Sequence, residues 1–292
     1  MRLFVNYTLD GITSGMVYAL VALGLVLIWR STRVLNFAQG AMAMFTTFIA
    51  YSLLQHSLGY WGAAAIALVA AFVLGALTER LLIRPVEGRG PIDAVIVAIG
   101  FLIVLESVAG VIWGVSPRSF PAPFTQVGYV VGGKGIALSP FDVFVVVSVL
   151  VVLGLMLVLF RYTAVGLRMR ASAFAPEVAR LLGVRVKRML TLGWALAAVA
   201  GAIAGLFVAP SVFLSPYYMD AVLIYGFAAA VLGGLESPVG ALVGGLVTGI
   251  VLSYTGGYIG ASYESTAALV LVVLVLMVRP TGLFSRVQPR RV

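Results

Sequence analysis

Apolar runs of about 20 residues, broken by short polar stretches, dictate what this chain can become. Nine such runs stand at 11–28, 37–54, 61–83, 91–114, 140–160, 190–209, 221–235, 239–255 and 266–278. A helix rising 1.5 Å per residue covers about 27 Å in 18 residues, most of a bilayer core. Backbone polar groups in hydrocarbon find no water, so each run must satisfy its own hydrogen bonds as a helix. Residues are 62% hydrophobic and 10% charged, against about 25% charged in soluble domains. The expected fold is an all-α polytopic membrane protein of about eight or nine transmembrane helices, one domain over residues 1–292. Arg2 ahead of the first run suggests a signal peptide. No small-residue cleavage site follows, and Arg30 and Arg33 come next, so the run reads as a retained span.

Charge distribution excludes further classes. The formal charge of +9 lies in short clusters beside apolar runs, the pattern of membrane orientation and not of nucleic-acid binding. On alternating sides of nine spans, one side receives all of the 19 basic residues except Arg2, Arg118 and Lys134. That side is expected in the cytoplasm, together with the C-terminus, leaving the N-terminus outside. With no cysteine, disulfides, thiolate metal sites and cysteine nucleophiles are ruled out; the single histidine, His56, falls in a short loop and reads as a surface residue. Gly128 to Lys134 mimics the spacing of a phosphate-binding loop, but Gly135 stands where a Ser or Thr would hold magnesium. No cofactor is expected, and ATP binding by the chain itself is not.

Three features carry functional expectations. The first is the polar stretch 161–189, with Arg168, Arg170, Arg180, Arg185, Lys187 and Arg188 against one acid, Glu177. Inside it Pro176 suits the first position of a short helix, and Glu177 favours the positive end of its dipole. Gly183 permits a left-handed exit. Val178, Leu181 and Leu182 share a face that something must bury. The second is Asn36 followed by Gln39, whose spacing predicts a capping box for a helix from residue 37 and a polar lining near a helix N-terminus. The third is Glu106, a carboxyl inside an apolar run, where the cost of about 2.5–3.5 kcal/mol turns such groups toward a bundle interior or water. Asp10, Asp142, Asp220 and Glu264 fall at span ends, where solvation makes them cheap. The pairs Gly11/Gly15, Gly201/Gly205, Gly240/Gly244 and Gly245/Gly249 predict close helix packing. Hydropathy alone leaves open whether 221–255 crosses fully or re-enters.

No hydrolase motif such as HExxH or GxSxG is present, and no channel filter. A stand-alone secondary carrier and a membrane enzyme remain as competing classes. A transport subunit powered from elsewhere fits better, with 161–189 as the place that receives the power. Several motifs then carry a family resemblance in order along the chain. Tyr18-Ala-Leu-Val-Ala-Leu-Gly, with Arg33-Val-Leu-Asn-Phe-Ala-Gln-Gly after it, opens the series. Gly166, Arg170, Ala171, Ala179, Leu182 and Gly183 follow, then Val231-Leu-Gly-Gly-Leu, Gly240-Ala-Leu-Val-Gly-Gly and Arg279-Pro-Thr-Gly-Leu-Phe. Together they resemble the permease subunit of branched-chain amino-acid ABC importers, the LivH type. Departures fall at Gln39 and Ala41, where that family usually has a histidine and an acid, near Ala175, and at Glu236, where glycine is common. The resemblance implies an ABC importer permease fold in the bacterial inner membrane and a homologous second permease subunit. It also implies two cytoplasmic ATPase subunits and an extracytoplasmic substrate-binding protein. Residues 161–189 would be the coupling loop, with Gly166, Arg170, Glu177, Val178, Leu181, Leu182 and Gly183 at the ATPase contact. The substrate would be a branched-chain amino acid, with urea, short amides or other amino acids as alternatives.

Overall fold

A computed structural model describes residues 2–86, 91–131, 134–279 and 281–284. The described residues form eleven α-helices: α1 (Arg2–Thr32), α2 (Gln39–Gln55), α3 (Tyr60–Leu77), α4 (Pro91–Trp113), α5 (Pro140–Tyr162), α6 (Ala164–Phe174), α7 (Pro176–Leu181), α8 (Val186–Val208), α9 (Asp220–Gly233), α10 (Pro238–Tyr258) and α11 (Glu264–Val278). A π-helical turn, Thr78–Ile83, extends α3. The only strands among the described residues are a two-residue hairpin, Val130–Val131 with Lys134–Gly135. It occupies the phosphate-loop mimic, and residues 132 and 133 of that mimic lie outside the described residues. Among the described residues, seven helical segments are long and apolar enough to cross a membrane, and α9 is a shorter apolar helix. The span count of eight or nine expected from hydropathy is therefore approximate, while the polytopic helical fold stands.

Loop contacts identify two ends of the bundle. At one, Arg33 after α1 forms an ion pair with Glu236 in the α9–α10 turn, and the backbone N–H of Leu283 donates to Leu232 O at 2.9 Å. At the other, Arg118 and Leu214 exchange backbone hydrogen bonds between the α4–α5 and α8–α9 connections. There too Ala137 N–H donates to the Asn6 side chain at 3.1 Å. Both α9 and α10 run between these ends, so the 221–255 segment passes from one to the other. With 14 residues, α9 is only about 20 Å long. The first end collects most of the arginines and is called the basic end below.

The core is built on α1. From Ala19 to Ile28 its side chains are almost wholly buried, enclosed by α8, α9 and α10. Lipid tails are as apolar as leucine, so helices associate here through close packing and not through expulsion of water. Two of the expected small-residue pairs meet face to face. A Cβ on Gly11 would lie 2.8 Å from Ile250 Cα and one on Gly15 2.8 Å from Gly245 O, while one on Gly249 would run into the Gly15 backbone. Exposed apolar residues cluster on α3, α4, α5 and α11, the faces left to lipid.

Gly249→Ala should therefore force α1 and α10 apart and cost on the order of 1–3 kcal/mol. Gly154→Ala, whose Cβ meets nothing within 4 Å, should be neutral or stabilising by up to about 1 kcal/mol. Thermal unfolding of the two detergent-solubilised variants checks the contrast; equal midpoints would remove the close contact as a source of stability.

Candidate functional site

Asn36 and Gln39 sit at the turn into α2, but not as a capping box. The helix begins at Gln39 with Ala38 at its N-cap and no side-chain cap, and Phe37 and Ala38 form a turn instead of a first helical residue. The Asn36 carboxamide oxygen accepts from Ala38 N–H at 3.1 Å, and its nitrogen donates to Gln39 Oε1 at 3.2 Å. Gln39 is drawn away from its own helix end by a stronger partner. Its Nε2 donates to the Ala197 carbonyl of α8 at 2.7 Å. Two glycines make room for the side chain: a Cβ on Gly24 of α1 would lie 2.7 Å from that nitrogen, and one on Gly201 of α8 2.6 Å. Both residues are 1% exposed. A buried amide with both ends bonded costs little, whereas one with a missing partner costs about 1–3 kcal/mol. Gln39 thus pins α1, α2 and α8 together. Asn36 borders a small apolar cavity of about 110 Å³ walled by Leu25, Phe37, Leu223, Ile224 and Phe227.

Glu106 lies on α4 partly exposed, and its carboxyl faces that of Asp220 at the start of α9. Nothing along the chain connects the two, because Asp220 reads there as a solvated span end. On α9, Asp220, Ile224 and Phe227 share one helical face at four- and three-residue spacing. The same face therefore carries the carboxyl and two walls of the cavity beside Asn36.

The stretch 161–189 is more helical than its polarity suggests. α6 starts at a Thr163 cap, whose Oγ1 accepts from Gly166 N–H at 3.1 Å. Gly166 is buried in the α5–α6 elbow, where a Cβ would collide with the Leu159 carbonyl. It shapes the elbow and offers no contact surface. α7 runs from Pro176 to Leu181, and Gly183 leaves it at φ +79°. Ala179 is buried in a small cluster with Val186 and Leu190, which seats α7 against the start of α8. On the other side, Val178, Leu181 and Leu182 are 55%, 87% and 78% exposed. Glu177 and Arg170 are exposed as well. Arg170 lines a cavity of about 350 Å³ with Arg30, Arg33, Phe174 and Glu236.

One polar cluster has no signal in the sequence. Glu79, 1% exposed, accepts from Arg84 through Nε at 3.1 Å and Nη2 at 2.6 Å. Thr191 Oγ1 of α8 donates to Glu79 at 2.7 Å, and Arg84 also reaches Lys187 O at 3.3 Å. Glu79 and Arg84 are five residues apart, a spacing that an α-helix does not bring together but a π-helical turn does. The cluster clamps the end of α3 to the start of α8, directly behind α7.

A family model described as "Branched-chain amino acid transport system / permease component" matches residues 7–278. The LivH permease protein of the high-affinity branched-chain amino acid transport system of Salmonella typhimurium is 29% identical over 304 residues, covering 99% of this chain and 98% of the relative. The corresponding BraD protein of Pseudomonas aeruginosa is 30% identical over 307 residues, with 99% and 98% covered. A probable LivH protein of Methanocaldococcus jannaschii is 30% identical over 280 residues, with 90% and 87% covered. No solved structure matches the chain. With nearly its whole length matched by the family model, and its apolar helices, buried glycine contacts and basic end in place, the chain belongs to the branched-chain amino acid transport system permease family.

Proposed function

We propose that the chain is the translocating subunit of an ATP-driven importer of branched-chain amino acids, with its basic end in the cytoplasm and its N-terminus outside. A homologous second permease would complete the path. Two ATPase subunits would dock at the basic end, and a binding protein would deliver substrate at the other. The observation that carries this reading is the uncovered face of α7. Val178, Leu181 and Leu182 stand exposed on a six-residue helix at the end of the bundle richest in arginine. Such a face costs free energy in water and is a place for a partner to bind. ATP shifts the transporter between two access states only if it binds them with different affinity, so α7 must sit differently in its partner in each. Seated on α8 through Ala179, α7 transmits that displacement to the core helices. Residues 161–189 act in this reading as the coupling region, with Arg170, Glu177 and Gly183 holding the helix in its pose and Gly166 setting the elbow behind it.

The substrate path is assigned to the face shared by α2, α4 and α9. An apolar cavity beside Asn36 suits a branched aliphatic side chain, and the Glu106–Asp220 carboxyls suit an ammonium group. Gln39 serves by fixing Asn36 rather than by touching substrate. The names of the relatives support the substrate class.

Two outcomes are expected in vesicles holding the complete transporter. Leu181→Glu combined with Leu182→Glu should abolish ATP-dependent leucine uptake while the binding protein still docks; normal uptake would remove the role given to α7. Glu106→Gln should lower uptake by about tenfold, the worth of one charge-assisted hydrogen bond. Unchanged transport would take Glu106 out of the path.

A further inference from the structure

The cavity of about 350 Å³ at the basic end lies where the ends of α1 and α5 meet α6 and the α9–α10 turn. Its size falls at the lower end of the range of about 300–1,000 Å³ typical of small-molecule pockets. On α1 it is lined by Leu27, Arg30 and Ser31, and on α6 by Met169, Arg170 and Ala173. Their three- and four-residue spacings make each wall a single helix face. Glu236 closes the cavity from the turn, beside Arg33. Arg30 lies over the Phe160 ring at 5.9 Å and within electrostatic reach of Arg170, Glu236 and Arg33. The side chains of the Arg33–Glu236 pair are 61% and 45% exposed. An ion pair so open to water is worth little, so Glu236 can take a second cation at small cost.

The walls decide what fits. A guanidinium offers two parallel donors to a carboxylate, and two guanidiniums near each other make a receptor for one. Glu236 attracts an ammonium and repels a second anionic group, which counts against a phosphate ester or a dicarboxylate. Leu27 and Met169, both buried, and the exposed Phe174 give the same cavity an apolar wall. One carbon bearing a carboxylate, an ammonium and a branched aliphatic group satisfies all three, and that is a branched-chain amino acid. The match needs no excess of positive charge, only both signs and an apolar wall in one cavity. This cavity is not the one beside Asn36. Leu25, which walls that one, points to the opposite side of α1 from Leu27, Arg30 and Ser31 at about 100° per residue.

We propose that this cavity is a second amino-acid site, off the transport path and open to the cytoplasm, through which accumulated product restrains the coupling region. The carboxylate meets Arg30 and Arg170, the ammonium Glu236, and the side chain Leu27, Met169 and Phe174. Bound there, the amino acid ties α6 to the end of α1 and to the α9–α10 turn. The cytoplasmic side and the ligand class rest on the proposed function.

The chain has no cysteine, so Ala173→Cys places one thiol on the cavity wall, and Tyr162→Cys serves as a control at the same end outside it. Maleimide labelling of this chain is followed in the assembled transporter without ATP. An open site of this kind binds at about the millimolar level, so a few millimolar leucine should slow labelling of the Ala173→Cys variant by about threefold and leave the control unchanged. 4-Methylpentanoate lacks the ammonium, isopentylamine the carboxylate and glycine the aliphatic group; each should protect far less. Adding Glu236→Gln or Arg170→Gln should raise the leucine needed by about tenfold, whereas Arg170→Lys should keep most of the protection. In vesicles preloaded with leucine, the initial rate of ATP-driven leucine uptake should fall. No protection by leucine, equal protection by 4-methylpentanoate, protection that persists in both glutamine variants, or an uptake rate indifferent to preloading would each overturn the proposal, even with normal leucine import. Protection by leucine in a transporter that imports no leucine would contradict the proposed function and leave the binding site standing.

Discussion

The backbone of α1 rests almost directly on that of α10, through Gly11, Gly15, Gly245 and Gly249, and the remaining helices take their places from that contact. In lipid there is little hydrophobic gain from pairing helices, so the energy comes from dispersion between closely apposed surfaces. Glycine at the crossing allows an approach that any side chain would prevent. With α1 held there, α8 and α9 close around it, and Gln39 joins α2 to α8 through the slot left by Gly24 and Gly201. The axis at the centre of the protein is therefore closely packed; Asn36 and Gln39 are hydrogen-bonded within it, while Trp194 Nε1 and Thr248 Oγ1 are buried without a partner.

Adaptability is left for the periphery of the basic end. α7 is short, buries little besides Ala179, and hangs from the core through the α5–α6 elbow and the start of α8. The Glu79–Arg84–Thr191 cluster reinforces the corner behind it. Removing one member of a buried pair of this kind typically costs about 3–5 kcal/mol, so the corner should move as a unit instead of bending. A push on α7 would then pass into α8, which packs on both α1 and α3, and so toward the face holding Asn36.

How much of this could be read beforehand follows the physics of each signal. Long apolar runs reported the spans well, because self-satisfied backbone hydrogen bonding leaves helix as the only form in lipid. Paired glycines announced close packing on α1 and α10 without showing that these two helices meet, and Pro176 with Gly183 marked both ends of α7, since these residues act through their own backbones. The cap predicted for Asn36 failed because Gln39 found a tertiary acceptor, Ala197 O, which lies 158 residues away. Glu79 and Arg84 went unpaired because i, i+5 is no α-helical neighbour and nothing in the sequence announced a π-helical turn. Glu106 looked isolated because Asp220 reaches it only through the folding of α9 against the other helices. In the same way Glu236 acquired a purpose only once the fold placed Arg33 beside it.

On the proposed function, the apolar face of α7 is the entry point for work done by ATP. The chain contains no cysteine, so a single Leu181→Cys change gives a unique chemical handle. Cross-linking from that position in the assembled transporter, with and without ATP, is the most direct test. A cross-link to an ATPase subunit whose yield changes with nucleotide state is expected. Absence of any such cross-link in every state, with transport intact, would contradict it.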